Sequence, residues 1–168
     1  SDWMILNNHV VLSRIDEDYR TRSLSREMLL ELHAELTKNT LDSEDEEGRF
    51  RTYQDDIVVH FDNKIAHIPP KPDVLEREID RLIKYANDVE KFVHPVIKAI
   101  VLHFWLGYLH PFTDGNGRMA RAIFYWCMLK NDYWAFGYLP ISTVIKKAPR
   151  QDAYAYIYGV RSNRIDIC

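Results

Sequence analysis

Apolar residues recur at helical spacing along most of the chain. Residues 23–40 and 73–90 each carry an apolar stripe between polar positions, and the first of them opens with serine and carries Glu27 two residues after Ser25. Residues 95–109 and 117–131 are apolar on nearly every face, which predicts two buried helices at the centre of the fold. Residues 140–160 predict a short helix begun by proline and then a final helix. We therefore expect an all-α fold class, that is, a mainly α bundle around a central buried helix.

One segment breaks the helical spacing. The β-rich runs at residues 57–61 and 64–68 flank Asp62-Asn63, and Pro69-Pro70 follows them. This pattern predicts a small β-hairpin beside the helices. The chain shows no internal repeat and no low-complexity stretch, so we expect a single domain over residues 1–168, which could be part of a longer protein.

Composition narrows the classes of function. The chain has 168 residues, a net charge of −3 and a pI near 6.1, which argues against a basic surface for nucleic acid. Its two cysteines are Cys127, within an apolar run, and Cys168 at the end, so no disulfide framework is expected. The sequence shows no stretch of transmembrane length and no signal-peptide pattern. We therefore expect a cytoplasmic protein without membrane partners.

The stretch YLHPFTDGNGRMAR, residues 108–121, concentrates the candidate chemistry. His110 precedes Pro111, which cannot continue a helix, so His110 should lie at the end of the buried helix. Histidine is the side chain best suited to accept a proton near neutral pH. The alternative is a structural histidine that bonds the last carbonyls of its helix.

The residues that follow suit a bound phosphate. Residues 115–117, Gly-Asn-Gly, allow backbone N–H groups to converge at the start of a helix, where phosphate groups bind. Arg118 and Arg121 lie on one face of the first helical turns and could reach a polyphosphate. The alternatives are an ordinary glycine turn and a solvated pair of cations.

Asp114 stands immediately before this loop. Its carboxylate is a hard oxygen ligand that suits Mg²⁺ bound to phosphates. The alternative is a capping role at the start of the helix. A base, a carboxylate, a phosphate loop and two arginines together indicate phosphate-transfer chemistry, although no Walker A pattern is present.

The segment HPFTDGNGRMAR resembles the signature of Fic-domain proteins, His-Pro-Phe-x-Asp-Gly-Asn-Gly-Arg-x-x-Arg, at every fixed position. EGRFR, the predicted hairpin and IPP resemble the flap region of that family. The resemblance extends from about Ser25 to Tyr158, whereas the ending GVRSNRIDIC departs from the family pattern. The resemblance implies protein AMPylation, in which a target hydroxyl attacks the α-phosphate of ATP in the presence of Mg²⁺.

The resemblance also implies roles for the signature residues. His110 resembles the general base, Asp114 the Mg²⁺ ligand and Phe112 the buried residue that fixes the loop. The remaining positions resemble the contacts to the phosphates, with the α-phosphate near the asparagine: Gly115, Asn116, Gly117, Arg118 and Arg121.

The predicted hairpin gains a role from the same resemblance. The family's flap holds a segment of the target protein as an added strand, and strand addition depends mostly on backbone contacts. The corresponding positions here are Val59, His60, Phe61, Lys64, Ile65, Ala66 and His67. The alternative is a purely structural hairpin. Self-AMPylation is a further expectation.

Fic proteins are often inhibited by a helix with the pattern [ST]-x-x-x-E-[GN], whose glutamate pairs with the second arginine of the signature, here Arg121. Residues 43–48, SEDEEG, fit the pattern, but their composition favours a solvated loop over a helix. Residues 13–18, SRIDED, miss its last position. We therefore expect that the inhibitory helix is not found in this chain and that the chain has basal activity.

Other functions remain open at this point. A Fic-like kinase, or a transferase of another nucleotide or of phosphocholine, would use a related site. A non-catalytic nucleotide- or peptide-binding module would not need His110. A metal hydrolase built on His103 and His110 lacks a suitably spaced carboxylate.

Overall fold

The computed structural model describes residues 2–55, 57–61 and 64–137. Its α-helices are α1 (Asp2–Arg14), α2 (Arg26–Thr37), α3 (Pro72–Asn87), α4 (Pro95–Leu109) and α5 (Asn116–Lys130). A π-helical turn, Ile15–Tyr19, continues from α1, and 3-10 turns lie at Glu44–Glu46 and Trp134–Gly137. The strands β1 (Val59–Phe61) and β2 (Lys64–His67) form one antiparallel hairpin. The expected mainly α fold class is confirmed.

The two helices predicted to be buried form the centre of the molecule. α4 and α5 pack along each other, and most residues of α5 are buried. Trp126 of α5 is fully buried, and its indole Nε1 donates a hydrogen bond to the Tyr19 carbonyl at 3.1 Å. This bond satisfies the polar atom of a large core side chain and fixes the π-helical turn to α5.

The starts of the outer helices follow their sequence signals. The Ser25 hydroxyl accepts a hydrogen bond from the Met28 N–H at 3.1 Å and caps α2, while Pro72 begins α3. α3 then buries one stripe of apolar residues against α4, namely Leu75, Ile79, Leu82 and Ala86. Among the described residues, no helix combines the length and the apolar character needed to cross a membrane.

α1 was not predicted, because its apolar residues do not form a single stripe. Trp3, Ile5 and Leu6 are exposed, whereas Asn7 and Val11 are buried against the rest of the fold. The packing of α1 on α2 therefore depends partly on a polar side chain, which hydrophobic spacing does not detect.

The hairpin is shorter than its two β-rich runs. Its register pairs His60 with Ile65, and an irregularity lies between Val59 and His60. Ile68, which ended the second predicted run, lies beyond β2 and is exposed. The predicted turn at Asp62-Asn63 and the predicted helices at residues 140–160 lie outside the described residues.

Candidate active site

His110 lies immediately after the last residue of α4, as the sequence predicted. Its backbone is left-handed, with φ 46° and ψ 59°, and its N–H still donates to the Leu106 carbonyl at 3.0 Å. Its ring Nδ1 lies 2.8 Å from the Gly107 carbonyl oxygen. Because a carbonyl oxygen only accepts hydrogen bonds, this contact places the ring proton on Nδ1 and leaves a lone pair on Nε2. The bond to a helix-end carbonyl and the role of a base are therefore compatible.

The surroundings of His110 favour its neutral form. Burial lowers the pKa of the imidazole, and the nearby His67 and Arg51 lower it further. The hydrogen bond to Gly107 and the charge of Asp114 act in the opposite direction without reversing the shift. His110 can therefore accept a proton at neutral pH.

Phe112 fixes the loop that follows His110. Its ring is fully buried and stacks on His33, with centroids 3.8 Å apart, and on Phe50, with centroids 5.4 Å apart. The side-chain amide of Asn116 closes the loop, since its Oδ1 accepts from the Phe112 N–H at 3.0 Å and its Nδ2 donates to the Phe112 carbonyl at 2.8 Å. The amide of Asn116 therefore holds the loop backbone, a contact that the sequence alone did not predict.

His33 is a buried residue of the site that sequence reasoning missed. Its Nδ1 accepts from the Gly48 N–H at 3.0 Å, and its Nε2 therefore donates to the Asp114 carbonyl at 3.0 Å. Burial lowers the pKa of His33 to about 4, so the ring is neutral and links α2 to the signature loop. A lone histidine on an apolar helical stripe gives no sequence signal of this role.

The start of α5 is open, as a phosphate-binding loop requires. Gly115, the residue before the helix, has φ 78°, and a Cβ there would lie 2.7 Å from Thr37 Cγ2. Within the described residues, no side chain caps this helix start. Gly117 is exposed in the first turn, and Arg121 Nη1 lies 3.5 Å from the position that a Cβ of Gly117 would occupy. The N–H groups of the first turn and one guanidinium thus lie at the same helix end.

The other arginine and the aspartate lie beside this helix end. Arg118 Nη1 donates to the Leu36 carbonyl at 2.7 Å and to Thr40 Oγ1 at 3.2 Å. Its Nη2 lies 3.6 Å from Asp114 Oδ2, and the side chain of Arg118 is 10% exposed while that of Asp114 is 67% exposed. Asp114 does not cap α5, so its carboxylate is accessible to an ion.

The acidic segment 43–48 contains a 3-10 turn but no α-helix, as its composition predicted. The expectation of a merely solvated loop is wrong, however. The Glu47 carboxylate accepts from the Asn39 N–H at 2.8 Å, and the Glu46 carboxylate accepts from the Thr113 hydroxyl at 2.8 Å. The segment therefore contacts the signature loop directly.

The residues predicted to bind a target strand differ in exposure. His60 and Ile65 are exposed, and Val59 is half-buried. His67 is buried, and its Nε2 donates to the Tyr108 carbonyl at 2.7 Å. Phe61, Lys64 and Ala66 are strand residues of the same hairpin.

Comparisons with known proteins agree with the fold. The profile of the Fic/DOC family matches residues 23–128. "Protein adenylyltransferase Fic" of Nematostella vectensis is 30% identical over 140 residues, which is 82% of this chain and 29% of that protein. A Fic family protein from Desulfovibrio desulfuricans has a similar structure, with a TM-score of 0.70, 23% identity and coverage of 95% of this chain and 45% of its own.

A second solved structure, Fic-1 from C. elegans, has a TM-score of 0.56 at 26% identity, and the match covers 72% of this chain and 34% of its own. The chain spans less than a third of the length of the curated relatives that it matches. The resemblance seen in the signature is confirmed by these matches, and the chain belongs to the Fic/DOC family.

Proposed function

We propose that this chain is a Mg²⁺-dependent protein adenylyltransferase. It would transfer AMP from ATP to a serine, threonine or tyrosine hydroxyl of a target protein and release pyrophosphate. The observation that carries the proposal is the state of His110, a neutral imidazole whose Nδ1 is bonded to the Gly107 carbonyl while Nε2 keeps its lone pair. A binding module would not require such a base.

The chemistry follows from this arrangement. His110 Nε2 accepts the proton of the target hydroxyl as its oxygen attacks the α-phosphorus of ATP. The bond between the α-phosphorus and the oxygen that bridges to the β-phosphate breaks, and pyrophosphate leaves with that bonding pair. Five residues, 111–115, separate His110 from α5, so the base and the open helix start belong to one loop.

The start of α5 would bind the nucleotide. The N–H groups of its first turn and the positive end of the helix dipole suit the phosphates, and Arg118 and Arg121 suit the β- and γ-phosphates. Among the described residues, no cluster of three or more His, Cys, Asp or Glu could hold a metal ion. A single exposed carboxylate, Asp114, nevertheless fits Mg²⁺, which is commonly bound by one or two carboxylates together with substrate phosphates. When bound there, Mg²⁺ would neutralise phosphate charge.

The hairpin would present the target. The described sheet contains only β1 and β2, so each strand has an outer edge to which an extended segment could add. The exposed His60 and Ile65 are positioned for side-chain contacts with such a segment. The adenylyltransferase names of the relatives support the transfer of AMP, with ATP as the donor.

Labelling with ATP that carries a radioactive α-phosphate, in the presence of Mg²⁺, tests the proposal. We expect label on a target protein or on the chain itself. His110→Ala should abolish transfer while calorimetry shows ATP binding largely retained, because the base acts on the hydroxyl and not on the nucleotide. His103→Gln is the matched control on the same helix and should keep transfer.

The mass added to the labelled protein separates the alternatives. One AMP supports the proposal, whereas one phosphate would favour a kinase and one phosphocholine a related transferase. Transfer by His110→Ala at a rate near that of the wild type would remove His110 from the mechanism. ATP binding without any transfer would favour a non-catalytic module.

A further inference from the structure

Arg51 is a buried cation next to the candidate base. The residue is only 6% exposed. Its Nε donates to the His110 carbonyl at 2.6 Å, and its Nη2 donates to the Leu109 carbonyl at 3.2 Å and also to the Pro70 carbonyl. The backbone N–H of Arg51 donates to the Pro111 carbonyl at 2.9 Å. One residue therefore binds three consecutive carbonyls, those of residues 109–111.

These contacts lie where α4 leaves its last carbonyls without partners in the helix. The last four carbonyls of α4 and that of His110, the next residue, each have a donor: Leu106 the His110 N–H, Gly107 the His110 Nδ1, Tyr108 the His67 Nε2, and Leu109 and His110 the Arg51 side chain. His67 and Pro70 belong to the end of the hairpin and the segment after it. The end of α4 is thus fastened to the exit of the hairpin.

We propose that Arg51 is a positioning residue for His110. It holds His110 at the end of α4 and fixes its position relative to the hairpin. This inference rests on the proposed function, because it assumes that His110 meets a target segment presented by that hairpin. The physical reason is that His110 has a left-handed backbone, which is unfavourable for a residue that carries a Cβ. Hydrogen bonds to the peptide groups on both sides of His110 can hold that conformation.

The guanidinium suits this role in a way that lysine would not. Its planar fork donates in fixed directions to separate acceptors, whereas an ammonium is a point charge on a flexible stem. Arg49 offers a matched control two residues earlier. The described contacts of the Arg49 side chain go to Asp55, Asp45 and Phe50, none of which belongs to α4.

The pKa of His110 is a readout of the Arg51 charge that a merely structural role would not change. The charged or titratable groups that act on His110 are His67 and Arg51, which lower its pKa, and Asp114, which raises it. Removal of the Arg51 cation should therefore raise the pKa of His110. Replacement by lysine keeps a positive charge but not the fork, so it separates electrostatics from geometry.

The experiment is a titration of the histidine rings by NMR in the full chain, without substrate, for Arg51→Gln, Arg51→Lys and Arg49→Gln. We expect Arg51→Gln to raise the pKa of His110, because it removes a neighbouring cation that lowers it. Arg51→Lys should keep the pKa of His110 close to that of the wild type. Arg49→Gln should leave it unchanged.

Transfer assays on the same proteins complete the test. Both Arg51 variants should lose about tenfold or more in kcat, with little change in the KM for ATP, because a misplaced base slows the chemical step. Arg49→Gln should keep the kcat of the wild type. A folded Arg51→Gln with the pKa and kcat of the wild type would overturn the inference.

Two further outcomes are also decisive. If Arg51→Gln does not fold, a folded Arg51→Lys with the kcat of the wild type overturns the inference, and a reduced kcat supports it. If the wild type transfers no AMP to any protein, the proposed function fails while the NMR comparison still decides whether Arg51 controls His110.

Discussion

Gly115→Ala should destabilise the fold by about 2 to 5 kcal/mol. An alanine at φ 78° pays roughly 1–2 kcal/mol for the left-handed backbone. Its Cβ would lie 2.7 Å from Thr37 Cγ2 and 3.3 Å from His33 Nε2. Thr37 cannot easily turn aside, because it is buried and its hydroxyl donates to the His33 carbonyl at 2.6 Å. Forcing a methyl group into such a site costs roughly another 1–3 kcal/mol.

Gly117→Ala is the matched control for this prediction. Gly117 is exposed in the first turn of α5, and an added Cβ would make only an ordinary contact with Arg121 Nη1 at 3.5 Å. Alanine is favoured over glycine within a helix, so this variant should be neutral or more stable by up to about 1 kcal/mol. Urea denaturation of both variants and the wild type, followed by circular dichroism, measures the difference. Equal stability of the two variants, or a loss below about 0.5 kcal/mol for Gly115→Ala, would refute the steric argument.

Three further predictions concern the groups around this loop. Burial lowers the pKa of His33 to about 4 from 6.5, so the unfolded chain binds the proton of His33 more tightly than the folded chain does. Up to roughly 3 kcal/mol of stability should therefore be lost as the pH falls from 6.5 to 4. Denaturation curves that do not change over this range would contradict this prediction. Asp114→Ala should weaken the Mg²⁺ dependence of ATP affinity measured by calorimetry, and a wild type that binds ATP equally well without Mg²⁺ would count against the metal role. Glu47→Gly should leave self-AMPylation nearly unchanged, since the described contact of the Glu47 carboxylate is with the Asn39 N–H; a several-fold rise in self-labelling would make the acidic segment a regulator.

The central helices were predictable because local signals mark their ends. Pro95 begins α4 and Pro111 prevents its continuation, and the observed helix spans the predicted residues 95–109. α5 begins at Asn116, one residue before the predicted start. Apolar composition on all sides then predicted correctly that both helices are buried. Both the helix ends and the burial depend on residues that are close together in the sequence, so a single sequence is enough to predict them.

The residues that sequence reasoning missed act across long separations. His33 reaches Asp114 over 81 residues, and Arg51 reaches His110 over 59. Each binds backbone carbonyls. Every residue has the same backbone carbonyl, so the sequence does not indicate which carbonyl will be the partner. The signature indicated candidate side chains for the chemistry, whereas the side chains that hold the loop in place became visible only in three dimensions.

α1 has a consequence for where this domain can be cut. The family profile begins at residue 23, after α1 and the π-helical turn. Yet Asn7 Nδ2 donates to the carbonyls of Leu36 and Lys38, and the Leu36 carbonyl also accepts a hydrogen bond from Arg118 in the first turn of α5. A chain shortened to the profile would lose the Asn7 bonds at the end of α2 and the Tyr19 carbonyl that Trp126 binds. The segment that the family profile matches is therefore smaller than the packed unit, and excision or transplantation of this domain should include α1.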